Sequence, residues 1–142
     1  KIGLFGYSYG GYLVLQTMTR SPGIFAAGVS MAPVTEWSAY AGGSPYANVR
    51  FGTPDMVPNP LLEASPIYSA NRLEGNLLIF HGTKDFNVPI VFSEMYITTL
   101  MKLGKSFEYM AYPNEAHVWT QPETIRDFMT RMERFLDHSL KG

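Results

Sequence analysis

The chain has 142 residues and a formal net charge of −1, from 11 basic and 12 acidic side chains. That length bounds it to one domain or part of one, and so even a charge balance offers no basic face, which argues against a nucleic-acid partner. Cysteine is absent, which removes disulfides and thiol chemistry, while 46% hydrophobic and 14% aromatic residues suffice for a core.

No run of about 18 apolar residues occurs, so no transmembrane segment is expected in this chain. The sequence opens with Lys1 and passes at once into an apolar run, Ile2 to Phe5, that reads as a buried strand. A parallel strand of this kind is normally flanked on both sides. The chain is therefore expected to be the C-terminal piece of a longer polypeptide, and no localisation follows from the lack of a targeting segment. The run breaks at Gly6, and a helix-like stretch, Tyr12 to Met18, follows. Strand, sharp turn and helix with Ser8 at the apex form the pattern G-x-S-x-G, here Gly6-Tyr7-Ser8-Tyr9-Gly10. A serine on so tight a turn has a strained backbone, and Gly6 and Gly10 are expected to remove side chains that would clash against it. The turn also places the Ser8 hydroxyl at a helix N-terminus, where free N–H groups and the dipole favour developing negative charge.

Ser21-Pro22-Gly23 is a turn, and Phe25 to Met31 reads as a second strand ended by Ala32 and Pro33. From Val34 to Asn76, Pro45, Pro54, Pro58, Pro60 and Pro66, with Gly42, Gly43 and Gly52, argue against long regular elements. One or two short helices are expected there, around Leu61 to Ser65 and Ile67 to Asn71, and a stretch of this length without regular structure is usually functional. Leu77 to Phe80 is the third strand and runs into His81-Gly82-Thr83-Lys84-Asp85. Pro89 then opens a helix closed by Gly104. Phe107 to Tyr112 is the fourth strand, followed by Pro113-Asn114-Glu115-Ala116-His117. In the last helix Thr120 is the expected N-cap, with Glu123 as its capping-box partner and Pro122 in the first turn. Ile125, Phe128, Met129, Met132, Phe135 and Leu136 share one face, expected to lie on the core.

Strand–helix repeats with short turns predict an α/β fold: a mainly parallel sheet flanked by helices. In such sheets reactive residues collect on loops at the C-terminal ends of strands, and Ser8, Asp85 and His117 each follow a predicted strand. A serine hydroxyl needs a base that titrates near neutral pH, and the base needs an acid to fix its tautomer. Of the three histidines, His81 precedes a glycine in a tight turn and is expected to hold its loop by a hydrogen bond. His138 lies on a polar helical face, and His117 follows the last strand. Asp127 and Asp137 belong to the solvent side of the last helix and Asp55 to the irregular segment, leaving Asp85 as the acid. The order Ser8, Asp85, His117 is that of α/β hydrolases. The constellation calls for no metal and no cofactor.

The chain resembles the catalytic domain of the prolyl oligopeptidase family of serine peptidases, especially the dipeptidyl peptidase IV-like branch. GYSYGGY resembles that family's GWSYGGY elbow, FAAGVSMAPVTEW its strand and APV-x-x-W segment, HGTKDFNV its acid loop, and YPNEAHVW the context of its histidine. The resemblance implies the C-terminal portion of an α/β-hydrolase fold, with upstream strands and a β-propeller outside this chain, and peptide hydrolysis through an acyl-enzyme. Ser8 would be the nucleophile, His117 the base and then the acid, Asp85 its orienter, and the Tyr9 N–H one oxyanion-hole donor. In the family a tyrosine hydroxyl from an earlier segment is the other donor, so this chain alone is expected to be inactive. Tyr9, Val34, Trp37, Tyr40, Tyr46 and Val88 would line the pocket for the residue before the scissile bond, with Asn87 donating to a substrate carbonyl. A flat aromatic slot suits proline or a small residue.

Two positions depart from the pattern: Tyr46 matches only loosely, and Val118 stands where the family usually has glycine after the histidine. The resemblance implies a peptide substrate, contacts with the N-terminal part of the same polypeptide, and is compatible with a homodimer. Other readings of the residues stay open. Trp37, Tyr40 and Tyr46 can be packing beneath a long loop. The chain can be a carboxylesterase, lipase or acylaminoacyl-hydrolase on the same scaffold, or a non-catalytic interaction domain.

Overall fold

Four short apolar runs pair into one parallel sheet in the computed structural model, which describes residues 1–40 and 44–141. The strands are β1 (Gly3–Tyr7), β2 (Ala27–Met31), β3 (Asn76–Gly82) and β4 (Glu108–Tyr112), in spatial order β1-β2-β3-β4. Their register aligns Tyr7 with Met31, Met31 with Phe80, and Gly82 with Tyr112, so all four strands end along one rim. The helices are α1 (Tyr9–Arg20), α2 (Pro45–Phe51), α3 (Pro60–Ala64), α4 (Val91–Lys102) and α5 (Pro122–Lys141), with a 3₁₀ segment at Pro66–Arg72.

Strand alternation divides the core into two layers. Leu77 and Ile79 of β3 face Val14, Leu15 and Met18 of α1 and Tyr96 and Leu100 of α4. Leu78 and Phe80 face the other way, with Ala27, Val29 and Met31 of β2, onto Phe128 and Phe135 of α5. A third cluster, around Tyr12, Val34, Trp37, Leu61, Val88 and Phe92, lies where the irregular segment folds back near the rim. The α/β class and the parallel sheet flanked by helices agree with the expectation from sequence. Among the described residues, no helix is long and apolar enough to cross a membrane.

The first run is the expected strand; among the described residues β1 pairs with β2 alone, which leaves Ile2 and Phe5 56% and 53% exposed. An unforeseen helix, α2, occupies the proline-rich stretch. Its Pro45 sits at the first helical position, where no N–H is needed. The start of α5 is not capped by Thr120: the Thr120 and Gln121 amides donate to the carboxylate of Glu115, and the first helical bond runs from Ile125 N–H to Gln121 C=O. Finally, Ile125 and Met129 of α5 are 44% and 52% exposed rather than in the core. The apolar stripe is wider than the sheet area it covers, and these two side chains line an open apolar groove with Tyr7, His117 and Val118.

Candidate active site

Ser8 follows β1 with φ 59°, a left-handed conformation that a non-glycine residue holds only when its surroundings enforce it. The enforcement is visible: the Ser8 amide donates to Met31 O at 2.8 Å, and Ser8 O accepts from the Tyr12 amide at 3.0 Å. A Cβ on Gly6 would lie 2.1 Å from Gly10 O, so the turn requires glycine there. Gly10 itself differs from expectation, since a Cβ on it would meet nothing within 4 Å. Gly11 is the second constrained position, its Cβ falling 2.5 Å from Met31 O, because α1 leaves the turn pressed against the end of β2. Tyr9 is the first residue of α1, so its N–H has no acceptor in a preceding helical turn.

Asp85 lies on the turn after β3 and is buried. One carboxylate oxygen accepts from the amides of Asn87, at 3.0 Å, and Val88, at 2.8 Å. The other stands 2.7 Å from His117 Nδ1 and 3.5 Å from His81 Nε2. Burial pushes the Asp85 carboxyl up. Hydrogen bonds from His81, His117 and the Val88 amide, together with the charge of His117, outweigh it and hold the group below the ordinary carboxylate value. His81 is fully buried, with Nε2 2.7 Å from Val88 O and Nδ1 2.7 Å from Ser93 Oγ. Since a carbonyl only accepts, Nε2 carries the hydrogen. His81 therefore ties the ends of the Asp85 turn together.

His117 Nε2 stands 2.9 Å from Ser8 Oγ. With Nδ1 against a carboxylate, the neutral ring carries its hydrogen on Nδ1, which leaves Nε2 as acceptor for the Ser8 hydroxyl. The loop bearing His117 is fastened to the Asp85 turn by Lys84 N–H to Glu115 O at 2.9 Å and Asn114 N–H to Thr83 Oγ1 at 2.9 Å. Buried Glu115 fastens it to the start of α5. The arrangement can pass a proton from hydroxyl to imidazole while a fixed carboxylate stabilises the cation. Among the described residues no three or more His, Asp or Glu side chains gather as metal ligands would.

Beside Ser8, Trp37 is the centre of an aromatic group: ring centroids lie 6.0 Å from Tyr9, 5.7 Å from Tyr40 and 6.1 Å from Tyr46. Val34 and Val88 are buried in the same cluster, Tyr9 and Tyr40 are half-buried, and Tyr46 and Asn87 are exposed. The structure thus brings Tyr9, Val34, Trp37, Tyr40, Tyr46 and Val88 to one place, with Asn87 on the adjoining Asp85 turn. Phe51, Phe92 and Arg50 join them without having been foreseen: Phe51 lies 4.9 Å from Trp37, Phe92 5.8 Å from Tyr40, and the Arg50 guanidinium 3.7 Å from the Tyr46 centroid. Glu115 also went unremarked, though an acid two residues before a candidate base was a visible signal.

Comparison with known proteins gives one consistent picture. The profile described as the prolyl oligopeptidase family matches residues 1–142. Dipeptidyl peptidase 8 of Mus musculus is 29% identical over 143 residues, covering 99% of this chain and 16% of its own length. The inactive dipeptidyl peptidase 10 of Rattus norvegicus is 28% identical, covering 99% of this chain and 18% of its own. Among solved structures, dipeptidyl peptidase 4 of Porphyromonas gingivalis superposes with a TM-score of 0.90 at 32% identity, over 98% of this chain and 20% of that one. The chain therefore spans about a sixth to a fifth of the length of these relatives.

Proposed function

Because the chain belongs to the prolyl oligopeptidase family, on its dipeptidyl peptidase IV-like branch, we propose that it carries the catalytic centre of a serine peptidase acting through an acyl-enzyme. The observation that supports this best is the continuous hydrogen-bonded line from Asp85 through His117 to Ser8. Ser8 Oγ attacks the scissile carbonyl as His117 Nε2 takes its proton, and Asp85 stabilises the imidazolium. The Tyr9 N–H stabilises the oxyanion, helped by the N-terminal dipole of α1. His117 returns the proton to the leaving amine. Water then repeats the sequence on the acyl-Ser8 ester, with His117 again as base, and frees the acid.

The residue before the scissile bond enters the slot walled by Tyr9, Val34, Trp37, Tyr40, Tyr46 and Val88, while Asn87 meets a substrate carbonyl. A flat apolar wall suits a proline ring or a small side chain, which ask for no polar partner there. The rest of a longer polypeptide would supply the second oxyanion donor and the grip on the substrate's N-terminus. One relative is named inactive, so kinship alone does not decide activity. The line of short contacts argues against a non-catalytic role. The test is a fluorophosphonate probe on the full-length gene product, with hydrolysis of peptidyl-proline and peptidyl-alanine amides beside short acyl esters. Labelling at Ser8 with amide cleavage supports the proposal. Ester cleavage alone replaces it with the esterase alternative, and no labelling refutes both.

A further inference from the structure

Tyr7 closes β1, next to the strained Ser8, and its side chain crosses to the loop that carries His117. Its hydroxyl donates to the backbone carbonyl of His117 at 2.8 Å. Its ring lies 5.0 Å, centroid to centroid, from the imidazole at a tilt of 36°. Every other fastening of the base loop described above runs to the Asp85 turn or to α5. The bond from Tyr7 joins that loop to the strand whose end sets the nucleophile.

We propose that Tyr7 is a positioning residue, which holds His117 at hydrogen-bonding distance from Ser8 and favours the charged imidazole formed during reaction. This rests on the serine-peptidase reading above. The hydroxyl fixes where the loop sits relative to β1. The ring lies close to the imidazolium that forms when His117 takes the Ser8 proton, at a separation within the range of cation–π attraction. The groups facing the imidazole are then the Asp85 carboxylate, the Ser8 hydroxyl and the Tyr7 phenol, while Glu115, on the same loop, is turned to the Thr120 and Gln121 amides. Burial, and then the Asp85 charge, push the Tyr7 phenol above its ordinary value, so it remains a hydrogen-bond donor throughout the working pH range.

The test compares Tyr7→Phe and Tyr7→Leu with wild type in the full-length gene product, reading kcat, KM, Tm and the rate of fluorophosphonate labelling. Phenylalanine keeps the ring and loses the donor. It should lower kcat and the labelling rate about tenfold, with KM and Tm unchanged and the same ratio at pH 6 and pH 9. Leucine loses ring and donor, and should lower kcat about a hundredfold. A Tyr7→Phe protein with wild-type kcat, or one whose loss lies in KM or follows a fallen Tm, overturns the positioning role while leaving the peptidase reading intact. A wild-type protein that is not labelled at Ser8 overturns the peptidase reading, and this inference with it.

Discussion

Gly82→Ala is a small change that should act at a distance on the reaction. Gly82 closes β3 directly beneath the loop that carries His117. A Cβ there would sit 2.4 Å from Glu115 O and 2.7 Å from Ala116 O, both backbone atoms with no flexible end to yield. The Gly82 backbone lies outside the left-handed region, so alanine can adopt it and the conflict is one of space alone. A carbon–oxygen contact needs about 3.3 Å, which means the loop must retreat by about 1 Å. Residue 117 follows directly, and its contact with Ser8 starts at 2.9 Å. A retreat of that size carries Nε2 past hydrogen-bond range, and misplacements of about 1 Å lower rates by about 10²-fold. Overpacking of this kind costs about 1–3 kcal/mol, which a domain of ordinary stability survives. The assay is kcat on a chromogenic peptidyl-proline amide with Tm measured alongside. An alanine variant that stays folded and keeps kcat within about threefold of wild type would refute the claim that this glycine sets the position of the base.

Ser8→Ala should abolish fluorophosphonate labelling in the full-length gene product, and labelling that persists would rule Ser8 out as nucleophile. Tyr40→Ala and Trp37→Phe should reduce kcat/KM for proline substrates more than for alanine ones. Equal losses would assign these rings to packing. Asp85→Asn should lower kcat by about 10⁴-fold, because an amide cannot hold the same tautomer of His117, and a loss under tenfold would contradict its role. The Asp85 carboxyl is held below its ordinary value in the folded protein, so its stabilising contribution is present above the unfolded carboxylate value of about 4 and fades as pH falls through the lower folded value. Tm of wild type should therefore fall faster than that of Asp85→Asn as pH drops from about 5 to 2. Parallel curves would contradict the assignment.

The sheet was legible because each strand is a short apolar run ended by glycine or proline, and because a 12-residue helix lies between β1 and β2 and another between β3 and β4. The alignment of Ser8, Asp85 and His117 along one rim follows from parallel strands that end in register, so the order of the residues was enough to single them out. Other features depend on where loops travel, which periodicity does not record. Gly11 rather than Gly10 meets β2, because the direction in which α1 leaves the turn is set by packing. Thr120 lost its capping role to Glu115, a residue five positions upstream that reaches the same amides only once the base loop folds over. The exposure of Ile125 and Met129 was hidden because their apolar character says what they can be buried against, not how much surface lies opposite. In the proline-rich stretch the expectation of short helices holds at Pro60–Ala64, while the position of α2, which Pro45 starts, was not singled out.

Strand order also accounts for the place of Asp85, which leaves a strand lying between those of Ser8 and His117. An imidazole presents its two nitrogens on different sides, so Ser8, at Nε2, and Asp85, at Nδ1, meet His117 from different directions. Ser8 leaves β1 and His117 leaves β4, three strand spacings away among the described residues, a lateral gap of about 14 Å at ordinary strand spacing. The loop from Tyr112 to His117 has to double back across β3 to close that gap. Asp85, leaving β3, then lies on the far side of the imidazole from Ser8 without any further excursion. The crossing forces the loop backbone down onto Gly82, where only hydrogen fits, and lets Lys84 and Thr83 bond to it on the way. The connection from β2 takes a different course. It turns aside at Ala32, which holds φ 49° and donates to Phe80 O, and runs on to Val34 and Trp37. The same course brings Trp37 and the aromatic group around it to the side of Ser8, so the line from Asp85 through His117 to Ser8 and the aromatic group beside it both follow from one ordering of parallel strands.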